Sequence, residues 1–343
     1  MKLESLRIGM MYLNRKPTPA EVAAFLAAHD NFLIVTHEHP DGDAIGSVLG
    51  TLNFLRENGK SADALLPEDL PVKYANWIEC GFRSEVSLYE LADYSACIMV
   101  DNPKIERAGV GAALRGPIQG MEILNIDHHP DNEEFGRHNL VVPTAAACAE
   151  IMFTIFKECA EYNISSQTAS LLMLGMVMDT GGFRFDNTSP ATLRHAAELI
   201  ELGADYPEIV RSMFFSRPLR FLEFEAELLQ KHLKRNANGR YAWIFIPEEL
   251  IEKYQINMRD TEGLIELLRS IDGTDVVALL QRRKAGIKFS LRSKKSKYKI
   301  GAVARSLNGG GHELAAGGMV KGVNLESAEQ TLMVKIDAVL NAK

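Results

Sequence analysis

The stretch that decides the fold runs from Asn31 to Leu55, NFLIVTHEHPDGDAIGSVLGTLNFL. An apolar run beginning at Phe32 stops at His37, Asp41 and Asp43, and an apolar-periodic segment follows at once. A short apolar run bounded in this way reads as a buried strand, Phe32–Thr36, and the segment after it as a helix, Ala44–Asn58. A histidine and two aspartates therefore sit where a strand hands over to a helix.

Three other segments end in the same manner. "CIMVDNP" ends its apolar run at Asp101, and "EILNIDHHPDN" ends its run at Asp127, His128 and His129. "LLMLGMVMDTGGFRF" carries Asp179 at the end of an apolar, helix-like run. In open parallel sheets ligands bind beyond the carboxyl ends of the strands, so these groups should converge. His37, Asp41, Asp43, Asp101, His128 and Asp179 then share one crevice, with Asp127 and His129 close by. A single aspartate at a strand end reads as readily as a helix N-cap, and a lone His-His pair as a turn. All four segments together read as a metal site. Carboxylates at this density repel one another unless divalent cations neutralise them, and two neighbouring cations can share a bridging carboxylate. Imidazole and carboxylate ligands without cysteine favour octahedral Mn²⁺, with Mg²⁺, Co²⁺ or Fe²⁺ as alternatives, over a closed structural zinc site.

Further strands are expected at Ala62–Leu66, Ala96–Val100 and Ile123–Ile126, and helices at Ala145–Glu161 and Ser166–Met178. Strands alternating with helices imply βαβ units and a mostly parallel sheet. From Thr188 to Lys234 the pattern is helix after helix. Beyond it, strands at Tyr241–Ile246, Asp275–Gln281 and Gly286–Arg292 and helices at Thr261–Ser270, Ile300–Ser306 and Leu325–Leu340 form an α+β pattern. The expected architecture is α/β: a parallel-sheet N-terminal domain (1–190), a helical linker (191–235) and a smaller α+β C-terminal domain (236–343). A chain of 343 residues, 46% hydrophobic, can bury two such cores.

In the C-terminal domain, "SLNGGGHELAAGG" places Gly309, Gly310 and Gly311 before His312. Glycines let backbone N–H groups converge on a phosphate. In the preceding strand Lys288, Ser290 and Arg292 share one face, and no acidic residue stands between Asp275 and Glu313. That segregation of charge suggests an anion-binding surface centred on Arg292 and His312. The run Lys294–Lys299 reads as a solvated loop.

Composition narrows the class. A formal net charge of −7 argues against wholesale nucleic-acid binding. No apolar run is long enough to cross a bilayer, and the first residues lack the apolar core of a secretory signal. Cys80, Cys97, Cys148 and Cys159 lack metal-binding spacing and sit among apolar residues, as reduced thiols of a cytoplasmic protein do.

The ordered set HEHPDGD, VDNP, IDHH, MDTGGF and GGGHELAAG resembles the DHH phosphoesterase superfamily with its DHH-associated C-terminal domain, from about Phe25 onward. The two-domain layout is similar to its nanoRNase/pAp phosphatase group. The resemblance implies that His37, Asp41 and Asp101 hold one cation and that Asp43, Asp101, His128 and Asp179 hold a second. It implies that Asp127 orients its histidine neighbours, that His129 faces the substrate, and that Ser290, Arg292, Gly309, Gly310, Gly311 and His312 grip a terminal phosphate. The implied activity is two-metal hydrolysis of short 5′-phosphorylated oligoribonucleotides and of 3′-phosphoadenosine 5′-phosphate, by a cytoplasmic homodimer with no membrane partner. Linear di-adenylate phosphodiesterase, exopolyphosphatase or pyrophosphatase, and non-catalytic nucleotide binding are the alternatives. Asn308 stands where many relatives have a first glycine. Arg184 reads equally as a phosphate contact or a surface ion pair, and no ligand role falls to His39.

Overall fold

The computed structural model describes residues 16–68, 70–78 and 81–341; Cys80 and the extension before residue 16 lie outside them. Thr18 and Glu21 cap the first helix, α1 (Pro19–Ala28), reciprocally. This Thr-x-x-Glu signal is carried by polar residues and is missed by a reading of apolar periodicity.

The chain continues through β1 (Phe32–Val35), α2 (Gly42–Glu57), β2 (Ala62–Leu65), β3 (Ala96–Val100), α3 (Ala112–Gln119), β4 (Ile123–Asp127) and β5 (His138–Val141). The five strands pair in parallel in the order β2-β1-β3-β4-β5. Every residue of β1, β3 and β4 is buried, because both faces of the sheet are covered. Phe32 and Ile34 pack in a layer with Ile45, Leu49 and Phe153, whereas Leu33, Val35 and Met99 pack with Leu91, Ile105 and Ile118. Two-sided burial is why these strands read as unbroken apolar runs. The edge strand β5, half-buried and beginning His-Asn, lacks that signature.

Four helices follow: α4 (Cys148–Glu158), α5 (Ser166–Asp179), α6 (Pro190–Glu201) and α7 (Tyr206–Phe214). The chain divides between Ser216 and Arg217 into two compact units. Within the helical run, α6 and α7 bury Ala196, Leu199, Ile209 and Met213 in the first core, and α8 (Leu219–His232) buries Phe221, Phe224 and Leu228 in the second.

The second unit contains β6 (Lys234–Arg235), β7 (Tyr241–Ile246), α9 (Glu248–Tyr254), α10 (Leu264–Arg269), β8 (Val276–Arg283), β9 (Gly286–Ser293), α11 (Gly301–Arg305), β10 (Gly310–Gly311), β11 (Ala315–Lys321) and α12 (Leu325–Asn341). Its mixed sheet has the order β10-β11-β9-β8-β7-β6, parallel only between β7 and β8. Ile287, Phe289 and Leu291 meet Leu332 and Ile336 on one face. Val277 and Leu279 meet Leu264 and Leu268 on the other.

One crossing positions the first unit's crevice. Gly42, Gly46 and Gly50 recur every fourth residue along one face of α2. A Cβ on Gly46 would lie 2.5 Å from the Leu171 carbonyl oxygen and 2.7 Å from the Gly175 nitrogen. The backbones of α2 and α5 therefore touch. Gly46→Ala gains about 1 kcal/mol of helix propensity but must push the two helices apart, at roughly 1–3 kcal/mol or more. The expected net result is a lower urea midpoint for the first unit. A midpoint at or above the parent value would contradict the close crossing.

Candidate metal centre

Each candidate side chain is placed by the end of an element. His37 follows β1, and its loop is fixed by the Glu38 N–H donating to the Arg107 carbonyl at 2.7 Å. Asp101 follows β3 with φ +52°, a left-handed conformation that aspartate tolerates better than most residues. Its N–H donates to the Ile126 carbonyl at 3.0 Å. His128 follows β4, and Asp179 is the last residue of α5. Asp41 is the N-cap of α2, its Oδ1 accepting the N–H groups of Asp43 and Ala44 at 3.1 Å. The ordinary capping reading is thus correct for Asp41 and leaves its Oδ2 outside the cap.

Asp43 is buried in the first turn of α2 yet caps a different helix. Its Oδ2 accepts the Cys148 N–H at 2.6 Å and its Oδ1 the Ala149 N–H at 3.0 Å. These are the first two residues of α4, so the carboxylate meets unpaired N–H groups and the positive end of a helix dipole. Gly175 makes room for it: a Cβ there would lie 2.7 Å from Asp43 Oδ1. The helix expected to start at Ala145 starts at Cys148 because this cap sits there.

Asp101 is central to the cluster. Its Oδ2 is 3.6 Å from His37 Nε2; its Oδ1 is 3.6 Å from His128 Nε2 and 3.5 Å from His129 Nδ1. His128 Nε2 is also 3.8 Å from Asp43 Oδ2 and 3.6 Å from Asp179 Oδ2. Ligand-type atoms of His37, Asp41 and Asp101 lie within 4.8 Å of one another, and so do those of Asp43, Asp101 and His128. Asp101 belongs to both groups.

These separations exceed hydrogen-bond length. Asp101 Oδ1 and His37 Nδ1 are buried without a hydrogen-bond partner, a costly state for polar atoms. Nitrogen and oxygen donors bind divalent transition metals at about 2.0–2.2 Å, so donors around one cation stand about 3 Å apart or more. The residues fit a divalent cation. The electrostatics agree. Burial, and then the charges of Asp101 and Asp179, push the Asp43 carboxyl well above the usual range. Burial also works against the ionised form of Asp101, but His37, His129 and His128 hold its carboxyl below the usual range.

Asp127 is saturated by comparison. Its Oδ1 accepts the His128 N–H and stands 2.8 Å from His129 Nδ1, with the His128 bond also 2.8 Å. Its Oδ2 accepts from Asn132 Nδ2 at 2.6 Å. Burial opposes charge on His129, but the bond to Asp127 and the charges of Asp127, Asp101 and Asp179 push its imidazole up to about 10. Asn132 escaped the sequence reading, although it stands five residues after Asp127 in DHHPDN. So did Glu150, whose signal was a charge inside the apolar run CAEIMFTIF.

The C-terminal candidates lie on and beside one sheet. Ser290 stands opposite Gly317, which stands opposite Gly310, while Arg292 stands opposite Ala315. Directly opposed residues share a face, so Ser290 borders two positions without side chains. Arg292 Nε donates to Glu266 Oε1 at 3.1 Å and its Nη1 to the Leu291 carbonyl at 3.0 Å. The Gly309 N–H donates to the Ala304 carbonyl at 2.8 Å, and a Cβ on Gly309 would lie 2.1 Å from the Gly317 carbonyl oxygen. Close backbone approach therefore requires this glycine. Gly311 pairs with Ala316, and His312 follows in the turn to β11. Asn308 has φ +58°, which asparagine adopts more readily than most residues. Arg184 donates to the Gly181 carbonyl and lies over the Phe214 ring, 5.2 Å from its centroid. Cys97, Cys148 and Cys159 are free and buried.

Residues 31–176 match the DHH family, N-terminal domain, and residues 236–342 match the DHHA1 domain. The chain is 30% identical over 300 residues to the bifunctional oligoribonuclease and PAP phosphatase NrnA of Thermus thermophilus, covering 88% of this chain and 87% of that one. It is 26% identical over 302 residues to the protein of the same name from Bacillus subtilis, covering 88% and 92%. An exopolyphosphatase-related protein from Bacteroides fragilis shares the fold, with a TM-score of 0.79, 24% identity and coverage of 94% and 97%.

The saturation of Asp127 is open to test. A carboxamide in its place cannot accept from His128, His129 and Asn132 together. Asp127→Asn should lose about 1–3 kcal/mol of stability in urea unfolding of metal-free protein, the cost of a buried group left unsatisfied. Unchanged stability would mean that these bonds do not hold the two histidines.

Proposed function

This chain belongs to the DHH family of metal-dependent phosphoesterases, and we propose that it hydrolyses short 5′-phosphorylated oligoribonucleotides to mononucleotides and removes phosphate from 3′-phosphoadenosine 5′-phosphate. The observation that carries the reading is the sharing of Asp101 between the His37–Asp41 group and the Asp43–His128 group. It supports two cations, with His37, Asp41 and Asp101 holding one and Asp43, Asp101, His128 and Asp179 the other. The oxygen-rich donor set with two imidazoles and no thiolate favours Mn²⁺. Bound there, the cations would supply Lewis acidity toward a phosphate oxygen and lower the pKa of water.

The chain's own residues supply the rest. With Nδ1 committed to Asp127, His129 would present Nε2 to the phosphate or the leaving oxygen, and the Asp127 carboxylate behind it favours the protonated ring. It is therefore suited to stabilise negative charge or to protonate the departing hydroxyl. In the second unit Arg292, His312 and the open strip beside Ser290 would take the remote terminal phosphate. Binding energy gained there would add to the affinity for such substrates. The names of the Thermus and Bacillus relatives support both substrate classes. Among the described residues no helix is long and apolar enough to cross a membrane.

The reading is tested by supplying Mn²⁺ and, in parallel, a 5′-phosphorylated RNA dinucleotide, 3′-phosphoadenosine 5′-phosphate, and pyrophosphate. The expected result is mononucleotides from the first and phosphate from the second, both reduced to the uncatalysed rate by Asp101→Ala. Turnover of pyrophosphate alone would overturn the substrate assignment, and an active Asp101→Ala protein would overturn the shared-ligand assignment. His312→Ala should act on KM, raising it about tenfold for substrates with a terminal phosphate, as loss of a charge-assisted hydrogen bond of about 1.5 kcal/mol predicts. A fall in kcat at unchanged KM would place His312 in the chemistry instead.

A further inference from the structure

The backbone of Ala145–Ala149 touches two of the proposed ligands, His128 and Asp43, and reaches a third, Asp179, through Asn187. The Ala145 carbonyl oxygen lies 3.3 Å from His128 Nδ1. The Cys148 and Ala149 N–H groups donate to Asp43. The Ala146 carbonyl accepts from Asn187 Nδ2 at 3.0 Å, and the same amide donates to the Asp179 carbonyl at 3.1 Å. Four of these five residues are alanines; the Cys148 thiol donates to the Ile126 carbonyl at 3.2 Å, but the run itself offers no side chain to hold the Ala146 N–H.

Glu150 supplies it. This residue is 5% exposed. Its Oε2 accepts the Ala146 N–H at 2.8 Å and the Thr192 hydroxyl at 3.2 Å. Its Oε1 pairs with His195 Nδ1 at 2.9 Å. Thr192 and His195 both belong to α6, whose start is fixed by a reciprocal cap between Ser189 and Thr192. A buried glutamate is a costly way merely to join α4 to α6, since a packed apolar pair would do so without desolvating a charge. What an apolar pair could not do is accept the Ala146 N–H.

We propose that Glu150, anchored on α6 by Thr192 and His195, is a positioning residue that fixes the backbone of Ala145–Ala149 and through it the placement of His128, Asp43 and Asp179 for cation binding. Asn187 completes the link to Asp179 from the exposed side. The proposal rests on the cation-binding reading above and names residues outside the ligand set.

The test is calorimetric titration of the full chain with Mn²⁺, for the parent, Glu150→Ala, Glu150→Gln and Asn187→Ala, with helical circular dichroism recorded for each. Groups that orient metal ligands typically contribute 10–100-fold in affinity. Glu150→Ala and Asn187→Ala should each bind Mn²⁺ about tenfold more weakly with helicity retained. Glu150→Gln should stay within about threefold, because its carboxamide oxygen still accepts the Ala146 N–H. A purely structural glutamate would change the unfolding midpoint without this pattern of loss and rescue. If Glu150→Ala fails to fold, Asn187→Ala, which removes an exposed side chain, decides by itself. Parent-like affinity in the folded alanine variants overturns the relay and leaves the metal centre standing. A parent protein that takes up no Mn²⁺ overturns both.

Discussion

Three carboxylates, Asp43, Asp101 and Asp127, are buried within one crevice at the ends of parallel strands, and the arrangement of the first unit follows from how each is compensated. An ionised carboxylate cannot leave water without partners. Asp127 has three hydrogen-bond partners and no remaining demand. Asp43 has the first N–H groups of a helix. Asp101 has imidazoles at 3.5–3.6 Å and an oxygen with no hydrogen bond. Saturated groups orient their neighbours, and an unsaturated group between histidines is where a cation could be accommodated. The division of labour among residues of one type is set by their surroundings.

The same constraint shapes the backbone. For Asp43 to reach the start of α4, the start of α2 must lie against that of α4, and Gly175 of α5 must yield the space a side chain would fill. The glycine face of α2 permits that approach. In the sheet, β1 and β3 are neighbours on which the strand order turns, β2 lying to one side and β4 and β5 to the other. His37 leaves the end of β1 and Asp101 the end of β3, so the first candidate group flanks the switch point, where adjacent loops part and a crevice opens. The left-handed turn at Asp101 lets the chain reverse there while keeping its N–H bonded to β4.

How much of this was legible follows from where the information sits. β1, β3 and β4 are buried on both faces, so their apolar runs marked them, and the His and Asp residues closing those runs marked the crevice. β5 lies at the edge with a half-buried start, and its pattern is too short and polar to read. The start of α4 was illegible for a different reason. Its cap comes from a residue more than a hundred positions earlier, and no window on Ala145–Glu150 contains it.

The glycine-rich segment illustrates the other limit. Glycines permit a phosphate to approach and equally permit another strand to approach, and sequence alone does not separate the two. In the structure Gly309 and Gly317 admit neighbouring backbone, and Gly310 lies in a strand pair. The resulting strip beside Ser290 nonetheless leaves backbone uncovered on the face that carries Arg292. Close strand packing is thus compatible with the phosphate role proposed for this segment. Arg292 enters it already paired with Glu266. The pair is half-exposed and single, so the phosphate proposed to bind here, with more charge and more acceptor oxygens than a carboxylate, would compete for the guanidinium.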